Sequence, residues 1–446
     1  MKKREALSMA VFVLLGALLW VLLSGLLKFK ESYHFKDVFY KEAGNCDVLF
    51  FGASHPHNAI DPLLLWDEYG ITSYNLAASG EPIALTYFAL KSGIETANPK
   101  VVVVDIGKIS DDVGHDHVHT GESHKTLDAI PFGNVKKEAV RYLVDTGVTE
   151  DPWDFLSNMY TYHSRVYELD RYDFEVGASH AMGWDKNLRI VKSDPPVLDK
   201  ESRKEIKGGE GVKAYEKIIK LCKEKNVKLL LTMIPGHAGY YSRRIGRFNA
   251  LADYTKEQGF DAIDLNDGAA DMELNYDYDF ASTSHMNVMG AEKVSRYFGK
   301  ILKDMYGLQD MRKTESRDRW EGFHKGYADD IIRYLGYENE ATAFLMMSKC
   351  RDLETEVYIR DKGIVDNVYA LSYILDFLGI EAIEAGDEIL GEDKDALIRV
   401  YDRNAAEGSR GNLRIEKSFI YNEEEMLLTT TGEATERVNY FPEVEE

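Results

Sequence analysis

Uncharged, mostly apolar residues run without interruption from Ala6 to Leu27. At about 1.5 Å rise per residue this stretch makes a helix of roughly 33 Å, enough to cross a hydrocarbon core. Lys2, Lys3 and Arg4 precede it, and the positive-inside bias then predicts a cytoplasmic N-terminus, an asymmetry weakened by Lys28 and Lys30 on the far side. Everything beyond residue 30 is accordingly expected outside, in a single-pass type II membrane arrangement. A cleaved signal peptide is the competing reading, but the apolar run exceeds an ordinary h-region and no Ala-x-Ala site follows it.

Beyond the anchor the pattern changes to short apolar runs closed by small or polar residues. DVLFFGAS (47–54), TSYN (72–75), VVVVDI (101–106), VKLLLTMIP (227–235) and FDAIDL (260–265) read as buried strands. Amphipathic segments separate most of them: PIALTYFALKSGIE (82–95), GVKAYEKIIKLCKEKN (211–226) and RRIGRFNALADYTKEQG (243–259). Buried strands alternating with helices predict an α/β fold, a parallel sheet covered on both faces, with chemistry at the carboxyl ends of its strands. A last helix over Met289–Leu302 places Val294, Tyr297, Phe298, Ile301 and Leu302 on one face and closes the domain. Residues 108–205 lack strand alternation and read as a mostly helical insertion over the sheet edge, a candidate lid.

From about residue 306 the composition shifts. Residues 311–446 hold 17 basic and 31 acidic side chains, −14 of the chain's net −22. ADDIIRYLG and VDNVYALSYILDFLGI read as helices, TEVYIRD and IEAIEAG as strands, and RIEKSFIYNEEEMLLTTTG as a strand pair, so a second, smaller α/β domain is expected over 306–446. No nucleophile elbow, phosphate loop or metal spacing occurs in it.

Charge and cysteine usage narrow the chemistry. With 54 Lys+Arg against 76 Asp+Glu and no basic patch beyond short pairs, nucleic acid is a poor partner. Cys46, Cys222 and Cys350 are far apart, with no Cys-x-x-Cys and no His at metal spacing, which argues against a disulfide framework or a zinc ribbon. His115, His117, His119 and His124 cluster in DDVGHDHVHTGESH; a metal held there would take Asp116 or Glu122 as an added ligand, while the plainer reading is a polar surface loop.

Ser54 follows the first strand directly, where a hydroxyl stands above the sheet edge and a backbone N–H at a helix start faces a developing oxyanion. His285, in Ser284-His285-Met286-Asn287 before the closing helix, supplies a base from a separate element, as serine nucleophiles require. His55 and His57, in the first turn after Ser54, read as structural. His163 and Arg165 in YHSR have either a structural role or an anionic substrate to meet.

GASHPHNAIDP (52–62), YNLAASGEP (74–82), PKVVVVDIG (99–107) and DFASTSHMNVMGAEKVS (279–295) resemble the successive blocks of the SGNH/GDSL hydrolase superfamily. The similarity is greatest to its membrane-anchored DltD/AlgX-like branch, which acts on cell-surface polymers; ESHKTLDAIPFGNVK (122–136) and YHSRVYELDRYDF (162–174) also resemble that branch. The resemblance covers about residues 45–305 and implies a three-layer α/β/α, flavodoxin-like domain over 31–305. It implies Ser54 as nucleophile, His285 as general base, and the N–H groups of Ser54 and Gly80 as oxyanion donors. The family's acid, three residues before the histidine, is replaced by Ser282, leaving Asp279 as the candidate carboxylate, and the usual oxyanion asparagine has no counterpart after Val104.

The implied function is acyl or acetyl ester chemistry, transfer more than hydrolysis, on a cell-surface glycan or teichoic-acid-like polymer, beside a membrane-bound O-acyltransferase and without a cofactor. A non-catalytic envelope scaffold and a secreted esterase are the alternatives. Residues 306–446 resemble an accessory domain sometimes appended to such proteins.

Overall fold

The computed structural model describes residues 3–28, 30–110, 118–169, 174, 179–206, 209–403 and 412–432. Helix α1 (Lys3–Leu26) contains one segment, Leu7–Leu26 with mean hydropathy 2.5, long and apolar enough to cross a membrane. Its large apolar side chains from Leu7 to Leu22 are all exposed, whereas a core helix would bury them. Helix α2 (Lys30–Val38) follows almost at once, and its His34, Phe35, Lys36 and Val38 are buried in the body of the protein.

Strands β1 (Val48–Phe51), β2 (Ser73–Asn75), β3 (Val101–Asp105), β4 (Lys228–Met233) and β5 (Asp261–Asp264) form a five-stranded, wholly parallel sheet in the order β2-β1-β3-β4-β5. The first three are completely buried, which is why they read as continuous apolar runs. Between β1 and β2 lie α3 (Ser54–Ala59) and α4 (Pro62–Tyr69); α5 (Ile83–Ala97) connects β2 to β3. The chain steps one way from β1 to β2 and the other way afterwards, and right-handed crossovers therefore put α3 and α4 on one face and α5 on the other. Contacts agree: α5 packs on α11 (Glu210–Lys225), and α13 (Val288–Tyr306) packs on α3 and α4.

Local chemistry sets the helix ends. Asp61 caps α4 by accepting from the Leu63 and Leu64 N–H groups at 2.9 and 3.3 Å, Pro62 opens the helix, and Gly70 in the left-handed region closes it. Asn287 caps α13 through the Met289 and Gly290 N–H groups, and Val294, Phe298 and Leu302 turn inward while Tyr297 and Ile301 pack half-buried beside them.

Among the described residues of the insertion, the helices named here lie before residue 168. There α6 (Gly107–Ser110), α7 (Thr120–Leu127), α8 (Asn134–Asp145), α9 (Trp153–Leu156) and α10 (Asn158–Tyr162) occur, with a 3-10 turn over His163–Tyr167. Leu85, Phe88, Leu127, Val135, Val140, Leu143 and Phe155 weld α5, α7, α8 and α9 into a satellite core. Residues 185–200 are without helix or strand and run along the body, Val191 N–H bonding to Phe280 and Ser193 N–H to Tyr276. Helix α12 (Ala238–Glu257) joins β4 to β5.

The C-terminal part carries a second five-stranded sheet, mixed, in the order β10-β9-β8-β6-β7. Its members are β6 (Leu353–Ile359), β7 (Ile383–Glu384), β8 (Ala396–Asp402), β9 (Leu413–Asn422) and β10 (Leu427–Thr429), with β9 and β10 the antiparallel pair expected from their alternation. Strand β8 has no counterpart among the sequence-derived elements. VDNVYALSYILDFLGI is not one helix but two, α16 (Gly363–Asn367) and α17 (Leu371–Leu378), separated by extended Val368 and by Ala370 at φ +62.

The two sheets share one continuous apolar core. Trp66 of α4 stacks on Trp320 of α14 (Arg317–Leu335) with centroids 5.3 Å apart, and Arg351, beyond α15 (Ala341–Ser348), reaches Asp67 and Glu321 at 2.7 and 2.6 Å. Trp320 is fully buried, so Trp320→Ala is expected to cost about 3–5 kcal/mol. Because the core is shared, urea denaturation should remain a single transition for both sheets, shifted to lower urea and coincident by circular dichroism and by proteolysis of each half.

Candidate active site

The first element of the site is the turn after β1. Gly52 has φ +139, and a Cβ there would stand 3.0 Å from Asp105 Cβ and 3.1 Å from Pro56 Cγ. Only glycine allows this close pass, which carries the chain off the sheet edge and makes half-buried Ser54 the first residue of α3.

The second element is the loop before α13. A bridge between Phe280 and Met286 and the bond from Ala281 N–H to the His285 carbonyl fold residues 280–286 into a small hairpin. Asn287 fixes its base, donating from Nδ2 to the Tyr278 carbonyl at 2.6 Å and the Arg189 carbonyl at 3.2 Å. The hairpin brings His285 Nε2 to 2.6 Å from Ser54 Oγ, across 231 positions of sequence.

The other ring nitrogen, Nδ1, lies 2.8 Å from Ser282 Oγ and 3.4 Å from Ser284 Oγ. Ser282 Oγ also accepts the Ser284 and His285 N–H groups, both at 3.2 Å. A hydroxyl has two lone pairs and one proton. With both lone pairs engaged by backbone, its proton is assigned from the network to Nδ1, which leaves the imidazole proton on Nε2 facing Ser54. For His285 to act as base the Ser282 hydroxyl must turn and accept from Nδ1–H instead. An aspartate at this position would enforce that tautomer; serine does not.

Asp279 does not fill the role of orienting acid. It is fully buried, with Oδ2 accepting from Asn275 N–H at 2.7 Å and from Lys293 Nζ at 2.8 Å, and Oδ1 accepting from the Tyr373 hydroxyl at 3.0 Å. It precedes the hairpin, so its carboxylate ties the base of the loop to α13 and to α17.

Gly80 lies in the loop after β2, third in a turn closed by Glu81 N–H to the Ala78 carbonyl, and its φ of +72 suits glycine. Ala78 N–H bonds to the Gly52 carbonyl at 3.2 Å, which fastens this loop to the nucleophile turn. Glu122 of α7 covers it: a Cβ on Gly80 would meet Glu122 Cγ at 3.0 Å. The adjacent Glu81 is buried, accepting from Thr86 and Thr126 hydroxyls at 2.8 Å each, with Lys36 Nζ of α2 at 3.9 Å. Burial raises its pKa, opposed by Lys36.

Asp105 follows Val104 at the end of β3. It is buried beside Gly52, with its carboxylate accepting from Gly107 N–H at 2.9 Å and Ile234 N–H at 3.1 Å.

Three neighbours of the imidazole form a stack. His55 lies over His285 with centroids 5.0 Å apart, Tyr240 over His55 at 4.2 Å, and the Arg244 guanidinium over Tyr240 at 4.1 Å. Tyr240 and Arg244 do not stand out in the sequence; their only signal is a polar-aromatic run, GHAGYYSRR, directly after β4. His57 is structural, with Nδ1 2.9 Å from the Ala77 carbonyl and its ring edge-on to Phe35 of α2.

Of the remaining histidines, His115 and His117, with Asp116, lie outside the described residues. His119 precedes α7 and is exposed, and His124 pairs with Asp128 at 2.9 Å while stacking on Phe155. Among the described residues no group of three His, Cys, Asp or Glu is placed to hold a metal ion. His163 is exposed, and Arg165 donates to the Lys28 carbonyl at 2.6 Å. The three cysteines are buried and unpaired with one another.

No protein-family model matches the chain, and no curated protein is significantly similar to it in sequence.

Asp185 packs under α3, accepting from Asn58 Nδ2 at 3.2 Å, and burial pushes its pKa up to about 6. A carboxyl whose folded pKa lies above its unfolded value favours folding below the unfolded value and loses that contribution as pH rises through the folded one. Asp185→Asn should therefore raise the urea midpoint relative to wild type at pH 7.5 and leave it little changed at pH 4.

Proposed function

We propose that this protein is an exported, membrane-anchored serine acyltransferase or esterase of SGNH type, acting on a cell-surface glycan or teichoic-acid-like polymer. The observation that carries the reading is the 2.6 Å contact between Ser54 Oγ and His285 Nε2 at the carboxyl edge of a parallel sheet. In the order β2-β1-β3-β4-β5 the direction of winding reverses at β1 and β3, the place where such sheets bind ligands, and Ser54 and Asp105 flank it.

The chemistry follows from these groups. Ser54 Oγ attacks the carbonyl carbon of an acyl ester while its proton passes to Nε2; His285 returns the proton to the departing alcohol, leaving an acyl-serine. A polymer hydroxyl, or water, then attacks with His285 again as base, and the acyl group leaves on the acceptor. The Ser54 N–H and the Gly80 loop are the donors assigned to the oxyanion, and the exchange uses no redox step. The apolar α1 supports membrane anchoring, and a membrane-bound O-acyltransferase is the partner assigned to supply the acyl group.

Ser282 specifically favours a second reading, a polymer-binding scaffold with a vestigial site. Losing the correct tautomer costs about four orders of magnitude in a serine hydrolase. A serine-directed fluorophosphonate separates the readings. Covalent labelling should map to Ser54 and vanish in Ser54→Ala and His285→Ala. Ser282→Asp should label about tenfold faster or more, as the carboxylate fixes Nδ1–H. No labelling of folded wild type or of Ser282→Asp would leave only the scaffold.

A further inference from the structure

The anchor and the globular body are joined with almost no slack. Helix α1 ends at Leu26 and α2 begins at Lys30, a link of three residues that reaches about 10 Å at full extension. Leu27, the first residue of that link, is 1 % exposed, and Leu23, Ser24 and Leu26 in the last turn of α1 are half-buried. The element packed against α1 is α10, and Arg165 just after it holds the Lys28 carbonyl at 2.6 Å. The α9–α10 unit and its 3-10 turn therefore sit level with the end of the apolar segment.

That unit exposes large side chains. Trp153, Tyr160, Val166 and Tyr167 are 58, 49, 48 and 91 % exposed. Its underside is rigid: Phe155 belongs to the satellite core, the Tyr162 hydroxyl bonds to Asp128, and the Tyr33 hydroxyl bonds to the Asp128 carbonyl at 2.9 Å. Trp and Tyr, with apolar bodies and polar tips, are the side chains that favour the headgroup level of a bilayer. We propose that Trp153, Tyr160, Val166 and Tyr167 form a lipid-docking face that lays the body of the protein on the outer surface of the membrane α1 crosses. The proposal rests on the anchoring function assigned to α1.

The proposed face is connected to the candidate site through packed elements. From the α9–α10 unit the contacts run to α7, through Phe155 on His124 and Tyr162 to Asp128, and from α7 through Glu122 to Gly80.

Depth-dependent quenching tests this on the full chain in liposomes containing brominated phosphatidylcholine. The native cysteines are buried, so a bimane label is directed to Tyr160→Cys, Tyr167→Cys, Leu14→Cys in α1, or Val197→Cys, which is 88 % exposed in the stretch beside α12. Labels at 160 and 167 are expected to be quenched several-fold more than the label at 197, and most by bromine near the headgroup. Quenching at 14 with none beyond the 197 background at 160 and 167 overturns the docking face and leaves that surface to a protein partner. Absence of quenching at 14 overturns the anchor itself, and the docking face with it.

Discussion

The close approach of two backbones at the carboxyl ends of β1 and β3 is the constraint on which the rest of the site depends. Gly52 sits at φ +139 with Asp105 and Pro56 crowding the space a Cβ would take, and the turn it permits ends with Ser54 standing above the sheet. Everything else converges on that point. The loop after β2 is fastened to it through Ala78 and Gly52, α3 grows from it, and the 280–286 hairpin meets it from the opposite end of the domain. The sheet order supplies the crevice, and the glycine lets the chain use it.

Much of this is legible in the amino-acid sequence. The five parallel strands lie within a sheet covered on both faces, so their apolar runs stand out, and Ser54 and His285 can be paired because each closes a recognisable strand or opens a recognisable helix. Asp279 cannot be placed in that way, because six residues from a histidine says nothing about which side of a hairpin a carboxylate faces. Its real partners, Lys293 and Tyr373, come from α13 and α17 and are settled only by packing. Tyr240 and Arg244 are hidden for the same reason: a stack built from three separate elements leaves no local pattern. Strand β8 is hard to see because Arg399, Asp402 and the acidic run before it mask the apolar alternation of Ala396, Ile398 and Val400. The helix expected over VDNVYALSYILDFLGI breaks at Val368–Ala370, where Ala370 takes up a left-handed conformation that periodicity does not reveal.

Polar burial links the segment after the apolar helix to the candidate site. Lys36 of α2 points into the cluster around Glu81, Phe35 packs on His57, and the Tyr74 hydroxyl of β2 donates to the Phe35 carbonyl at 2.7 Å. The segment that follows the apolar helix is thus part of the wall behind the Gly80 loop rather than a spacer. Ser282 sits at the other side of the same site, where a hydroxyl already engaged by two backbone N–H groups stands in the place usually given to a carboxylate. The two sides of the candidate site are therefore held by different means, one through a buried acid–lysine pair and the other through a neutral network whose protons can rearrange.

The salt bridge between Asp279 and Lys293 is completed by a tyrosine from the C-terminal sheet's own helices, and Trp66 is covered by Trp320 from the same half. A gene fusion that grafted the N-terminal half alone onto another protein would uncover an indole and unsettle the hairpin bearing His285. The two halves therefore stand or fall together: parting them removes the tyrosine beneath the His285 hairpin and bares the Trp66 face.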